Sequence, residues 1–215
     1  MSGEADVQFQ YTDAADERQT SLAGMWLLLA SEMLFFGGLF LLWLYYRVLF
    51  PEGFAEATAH TEITIGTANT LILLTSSAIY ASGIPAARLG RNRVVVVTGA
   101  ITLVLGLTFT VLKFYEWYKD IQDGMIPGPR FALHGPNAGG AQLFWEFYYI
   151  GTVLHIIHLV IGLGLVTWVV WKSRRRTFIH VHATPVEVVG LYWSFVDMVW
   201  MVLYALIYLG PRSGG

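Results

Sequence analysis

The chain contains no cysteine. Disulfides, thiolate metal sites, iron–sulfur clusters and a cysteine nucleophile are therefore excluded. Charge is scarce as well: 13% of the 215 residues are charged, against about 25% in an ordinary soluble domain. Neither sign dominates, with a formal net charge of -2, so no overall field points to nucleic acid as a partner. The first 21 residues lack the basic segment and short apolar run of a cleaved secretion signal. They carry Glu4, Asp6, Asp13, Asp16 and Glu17 against Arg18 alone. A nucleotide-binding glycine loop and a credible hydrolytic triad are missing too, and no residue stands out as catalytic.

Apolar length is abundant. Hydrophobic residues make up 55% of the chain, with 8 Trp, 11 Tyr and 13 Phe. A helix needs about 20 mainly apolar residues to cross a bilayer. Five such runs follow one another, at 22–49, 63–84, 94–118, 143–171 and 186–209. Each is apolar nearly all round rather than along one stripe, and none shows the short alternation of a membrane barrel. The expected fold is all-α, an integral membrane bundle of five transmembrane helices. It divides into a polar tail at 1–21, one membrane domain at 22–209 and a short tail at 210–215. Pro51, Gly53, Gly83, Pro85 and Pro185 punctuate the runs, and the longest connection, 120–142, holds Pro127, Pro129 and Pro136. With no internal repeat, the inverted-repeat logic of transporters has no support.

Lys and Arg in short loops set orientation. Arg88, Arg91 and Arg93 follow the second run, and Lys172, Arg174, Arg175 and Arg176 follow the fourth. The connection after the first run has only Arg47, beside Glu52, Glu56 and Glu62. The N-terminus is therefore expected inside and the C-terminus outside. Trp and Tyr gather near several run ends (Trp43, Tyr45 and Tyr46; Tyr115, Trp117 and Tyr118; Trp168 and Trp171), as interfacial anchors do.

Four ionisable residues lie deep inside runs. At about 1.5 Å per residue, Glu32 is roughly 15 Å from the inner end of its helix. Asp197 is at a similar depth, and His155 and His158 are near the middle of theirs. A carboxylate facing lipid there costs several kcal/mol, so these groups should face protein, water or each other, or be protonated. His155 and His158 are three apart and continue with Gly151 and Gly162 as one stripe, which suits close helix contact in lipid. Trp193, Asp197, Trp200 and Tyr204 form a similar stripe, and Asn69, Thr70 and Thr75 read as inter-helix glue. Glu32 is open to two readings, a functional coupling and a buried neutral hydrogen-bonding role. Neighbouring histidines on one face cannot ligate a haem from opposite sides. The other histidines, His60, His134, His180 and His182, fall in expected loops. No haem or copper is therefore expected in this chain.

Five segments carry a family resemblance. Ser31, Glu32, Phe35 and Phe36 fit the S-E-x-x-F-F helix of subunit III of haem–copper oxidases. Asn69 to Ser77 resembles its N-T-x-x-L-L-x-S-S pattern, and Lys113 to Trp117 its E-Y/W helix end. Gly151 to Gly162 is similar to its T-G-x-H-x-x-H-x-x-x-G helix, and Tyr192 to Trp200 to Y-W-H-F-V-D-x-V-W. The match runs in order from Gly24 to Leu209. It resembles the five-helix form of the family, which lacks the first two of seven helices, and Ser194 stands where the family usually has His. Phe54–Glu56 through Arg88, and Phe147 to Tyr149, also resemble the branch associated with nitric oxide reductases.

The resemblance implies a non-catalytic subunit. Haems and copper would lie in partner subunits, with subunit I contacted directly and subunit II in the same complex. The chain would bind phospholipid and support proton uptake during reduction of oxygen to water, in a bacterial inner membrane. Glu32 matches the family's buried carbodiimide-reactive carboxylate. A nitric oxide reductase partner and a quinol oxidase subunit III are the alternatives within the family. A proton channel or transporter is the alternative of another class.

Overall fold

The computed structural model describes residues 14–175 and 183–209. Six α-helices follow in order: α1 (Ala14–Leu49), α2 (Pro51–Ala59), α3 (Ile63–Arg88), α4 (Asn92–Gln122), α5 (Ala138–Arg174) and α6 (Thr184–Tyr204). A π-helical turn, Ala205–Leu209, ends α6. There is no strand among the described residues. All but α2 are long and apolar enough to cross a membrane, and the protein is an integral membrane protein.

Residue spacing explains how α3 and α4 pack. The buried residues of α3 run Gly66, Asn69, Leu73, Ser76, Tyr80, Gly83. Those of α4 run Val95, Gly99, Thr102, Gly106, Phe109, Lys113, Glu116, Asp120. Both advance in steps of three and four, the 3.5-residue repeat of a left-handed helix seam. Small residues let the backbones close up: a Cβ at Gly83 would collide with Thr98 of α4. The Thr102 hydroxyl donates across the seam to the Ser76 carbonyl at 3.3 Å, which fixes the register.

Helix α5 packs on α4, and α6 packs on both α5 and α3. These four helices therefore close into a ring around one core. Helix α1 leans on the outside, against α5 and α6, and is the least buried of the five long helices. Its Leu27, Leu34, Leu41 and Val48 are exposed, a surface suited to lipid or to another subunit rather than to water. Helix α2 lies on α5 through two glycines: a Cβ at Gly53 would sit 2.7 Å from the Gly140 Cα.

The sequence-based boundaries shift at several points. The region 14–21, expected as tail, is helical, because nothing in it breaks a helix and Arg18 is anchored. Arg18 Nη2 meets Glu187 Oε2 at 2.9 Å, while Arg88 Nε meets Oε1 at 2.7 Å. This clasp brings the start of α1, the end of α3 and the start of α6 to one end of the bundle. The connection after the first run is itself a helix, with Pro51 in its first turn, where a missing N–H costs nothing. The connection expected at 120–142 shortens to 123–137, because α4 and α5 both extend. His180, His182 and Arg176 lie outside the described residues.

Candidate functional site

Helices α1 and α5 bring Glu32 and His158 together, with Oε2 3.1 Å from Nε2. The other ring nitrogen, Nδ1, lies 2.8 Å from the Leu154 carbonyl. A carbonyl only accepts, so Nδ1 carries a hydrogen and Nε2 faces the carboxyl. A hydrogen bond at 3.1 Å needs a hydrogen on the carboxyl oxygen or on the ring nitrogen. The Phe36 ring meets the imidazole edge-on, with centroids 5.2 Å apart. The pair opens toward the flank of the bundle, with side-chain exposures of 29% for Glu32 and 15% for His158. Ser194 is exposed and is not the partner of Glu32.

His155 does not share this site. Three residues turn a helix by about 300°, so the two imidazoles diverge by about 60°, and the single histidine stripe read from sequence divides. His155 points into the four-helix core between Phe109 of α4 and Trp200 of α6, at ring distances of 5.6 and 5.1 Å. It is fully buried, and neither ring nitrogen has a hydrogen-bond partner. Gly151 and Gly162 flank it along α5. A Cβ at Gly151 would come within 3.0 Å of Leu203, and one at Gly162 within 3.1 Å of the Trp193 ring.

The α6 stripe meets hydroxyls of α3. Trp193 Nε1 donates to Ser76 Oγ at 3.1 Å, Trp200 Nε1 to Thr70 Oγ1 at 3.0 Å, and the Tyr204 hydroxyl pairs with Thr67 Oγ1 at 2.7 Å. Asp197 sits between the two tryptophans, 4% exposed. Ser77 is a polar neighbour, but both Asp197 oxygens lie outside hydrogen-bonding geometry. Asn69 is fully buried with both amide atoms in the same state.

Sequence reasoning overlooked the most polar part of the core. Lys113 and Glu116 entered only through a motif at the end of the third run, with no place in the core, yet both are buried. The three ammonium hydrogens of Lys113 are matched by Glu116 Oε2 at 3.1 Å and the hydroxyls of Tyr148 and Tyr208 at 3.0 Å each. Tyr208 donates on to Glu116, and Tyr148 to Asp120 Oδ2 at 2.7 Å. The signal was in the spacing: Gly99, Gly106 and Lys113 recur every seven residues, as do Thr102, Phe109 and Glu116. That places the charges on the buried seam. The cluster lies toward the end of the bundle that carries α2 and the 123–137 loop.

No three His, Cys, Asp or Glu converge on one point among the described residues. What the arrangement offers is hydrogen bonding and proton sharing. Comparison with known proteins agrees with the motifs. Residues 1–211 match the family model described as cytochrome c oxidase subunit III. A cytochrome c oxidase subunit 3 of Synechocystis sp. is 32% identical over 86% of this chain and 74% of its own. A probable quinol oxidase subunit 3 of Staphylococcus haemolyticus is 24% identical over 90% of each chain. A haem–copper oxidase subunit I+III of Aeropyrum pernix is 26% identical over 87% of this chain and 22% of its own. With five spanning helices, the ordered motifs and a family match along nearly its whole length, the chain belongs to the cytochrome c oxidase subunit III family.

Proposed function

We propose that the chain is the non-catalytic subunit III of a respiratory haem–copper cytochrome c oxidase, packed on subunit I and supporting proton uptake while oxygen is reduced to water. The observation that carries this reading is the Glu32–His158 pair, a carboxyl and an imidazole nitrogen 3.1 Å apart between two helices inside the span. The relative that joins subunits I and III in one chain supports direct contact with subunit I. The least buried helix, α1, offers the surface for such contact and for phospholipid. Haems and copper belong to the partner subunits, and subunit II is in the same complex. The basic residues Arg88, Arg91 and Arg93 after the second run, and Lys172 and Arg174 to Arg176 after the fourth, favour an inner orientation for the N-terminus, in a bacterial inner membrane. Glu32, His155, His158 and Asp197 act as polar groups within the spans, and Asn69, Gly151, Gly162, Trp193 and Trp200 as packing groups.

Purification of the tagged chain from its own membrane tests the assignment. Co-purified haem a with a subunit carrying dinuclear copper is the expected result. Haem b without copper would move the chain to a nitric oxide reductase, and recovery of the chain alone would favour a channel or transporter.

A further inference from the structure

The proposed role leaves the Lys113 cluster unused, and the hydrogens in it can be counted. Six contacts join Lys113, Glu116, Asp120, Tyr148 and Tyr208. Lys113 Nζ meets Glu116 Oε2 at 3.1 Å and the hydroxyls of Tyr148 and Tyr208 at 3.0 Å each. The Tyr208 hydroxyl meets Glu116 Oε1 at 2.5 Å. The Tyr148 hydroxyl meets Glu116 Oε1 at 3.2 Å and Asp120 Oδ2 at 2.7 Å. An ammonium supplies three hydrogens, a phenol one and an ionised carboxylate none. Lys113, Tyr148 and Tyr208 together therefore supply five hydrogens to the six contacts. The shortfall falls on Tyr148, whose single hydrogen has two carboxylate oxygens within reach.

Charge falls short in the same sense. One ammonium against two carboxylates leaves one negative charge in excess, and all three groups are buried, Asp120 at 3% exposure. An uncompensated charge is costly at such burial. The Lys113 ammonium lies over three rings, with the Tyr148, Trp200 and Tyr208 centroids at 4.4, 5.5 and 5.7 Å. Ring faces attract a cation, so Lys113 is held in its charged form with Glu116 as counterion, and Asp120 is the carboxylate left over. The titratable groups around Asp120 are Lys113, Glu116 and Asp123 of α4, Tyr148 and Tyr149 of α5, and Tyr208 of the π-helical turn. Lys113, already paired, is the one cation among them.

We propose that this cluster is a proton-binding site, with the proton held on Asp120 and Tyr148 as the switch between the bound and free states. With the proton bound, the Asp120 carboxyl donates to the Tyr148 oxygen and Tyr148 donates to Glu116. Each of the six contacts then holds a hydrogen, and the cluster is neutral. When the proton leaves, the Tyr148 hydrogen turns to Asp120 and the contact between Tyr148 and Glu116 is left without one. Tyr148 accepts from Lys113 in both states. The site is separate from the Glu32–His158 pair, which joins α1 to α5, and the inference does not depend on which complex the chain joins.

Infrared difference spectroscopy of the purified complex tests this, because a protonated carboxyl has a carbonyl stretch that neither a carboxylate nor an amide shares. Spectra at neutral minus alkaline pH should contain such a band from Asp120. Asp120→Asn should remove it, and Asp120→Glu should retain it at a shifted frequency. Tyr148→Phe should shift it as well, by removing the oxygen to which the carboxyl donates, and decides the matter if Asp120→Asn fails to assemble. Identical difference spectra from the unaltered chain and Asp120→Asn would overturn the proposal. So would a band that Tyr148→Phe leaves in place.

Discussion

At the scale of single residues, the Glu32–His158 pair is defined by a neighbour that takes no part in it. The Leu154 carbonyl takes the hydrogen on Nδ1 and leaves Nε2 to the carboxyl. Glu32→Gln preserves that geometry, because its amide donates to Nε2 with the same reach. Glu32→Leu removes the donor and leaves a half-buried ring nitrogen unpaired, a loss of about 1–3 kcal/mol on the flank where α1 meets α5. The Gln variant should therefore assemble normally and sustain oxygen reduction. The Leu variant should lose chain from the complex on mild detergent washing, read by its stoichiometry to subunit I. Abolished oxygen reduction in an assembled Gln complex would instead make Glu32 part of an obligatory proton route. Depth alone made Glu32, His155, His158 and Asp197 legible as sequence. Which partner each one meets was not legible, because 60° of helix rotation separates the surroundings of His155 and His158, and a linear stripe hides it.

At the scale of elements, spacing carried most of the information. Long apolar runs announced five spanning helices, and the described residues hold five helices long and apolar enough to span. Helix α2 escaped because it is short and sits behind Pro51, which reads as punctuation as readily as a helix start. The Lys113 cluster escaped because charges at the end of a run look like its boundary. Only the seven-residue repeat with Gly99 and Gly106 marks them as buried. The Gly53–Gly140 contact is of the same kind, since a close approach of backbones leaves no trace in one helix alone. In Gly53→Ala the new methyl would meet Gly140 Cα, Ala141 N and Asn137 O within 2.8 Å, all backbone, so α2 must lift from α5. The absence of native cysteine makes this measurable. A single cysteine at Ala57, fully buried on the inner face of α2, should react slowly with a membrane-impermeant maleimide. With Gly53→Ala it should react about tenfold faster or more, the equivalent of about 1.4 kcal/mol of undocking. Equal rates would show that α2 tolerates the methyl. A cysteine at exposed Glu52 should label from outside intact cells, and labelling only after disruption would invert the proposed orientation.

At the scale of the whole molecule, two regions divide the work. The α3–α6 ring encloses a core with a charged, hydroxyl-rich end at Lys113 to Asp120 and mainly apolar packing beyond Trp193, where the Arg18–Glu187–Arg88 clasp closes the other end. Helix α1 stands outside it with Glu32 on one flank and a broad apolar surface on the other. Such a chain has the means to hold neighbours in place, with a carboxyl–imidazole pair on its flank, as the proposed role requires. The most direct measurement is oxygen consumption by the purified complex with and without this chain. Removal should leave haem and copper content and the initial rate largely intact, while activity decays within fewer turnovers. An initial rate lost at once, together with haem or copper leaving in proportion to this chain, would contradict the proposed role.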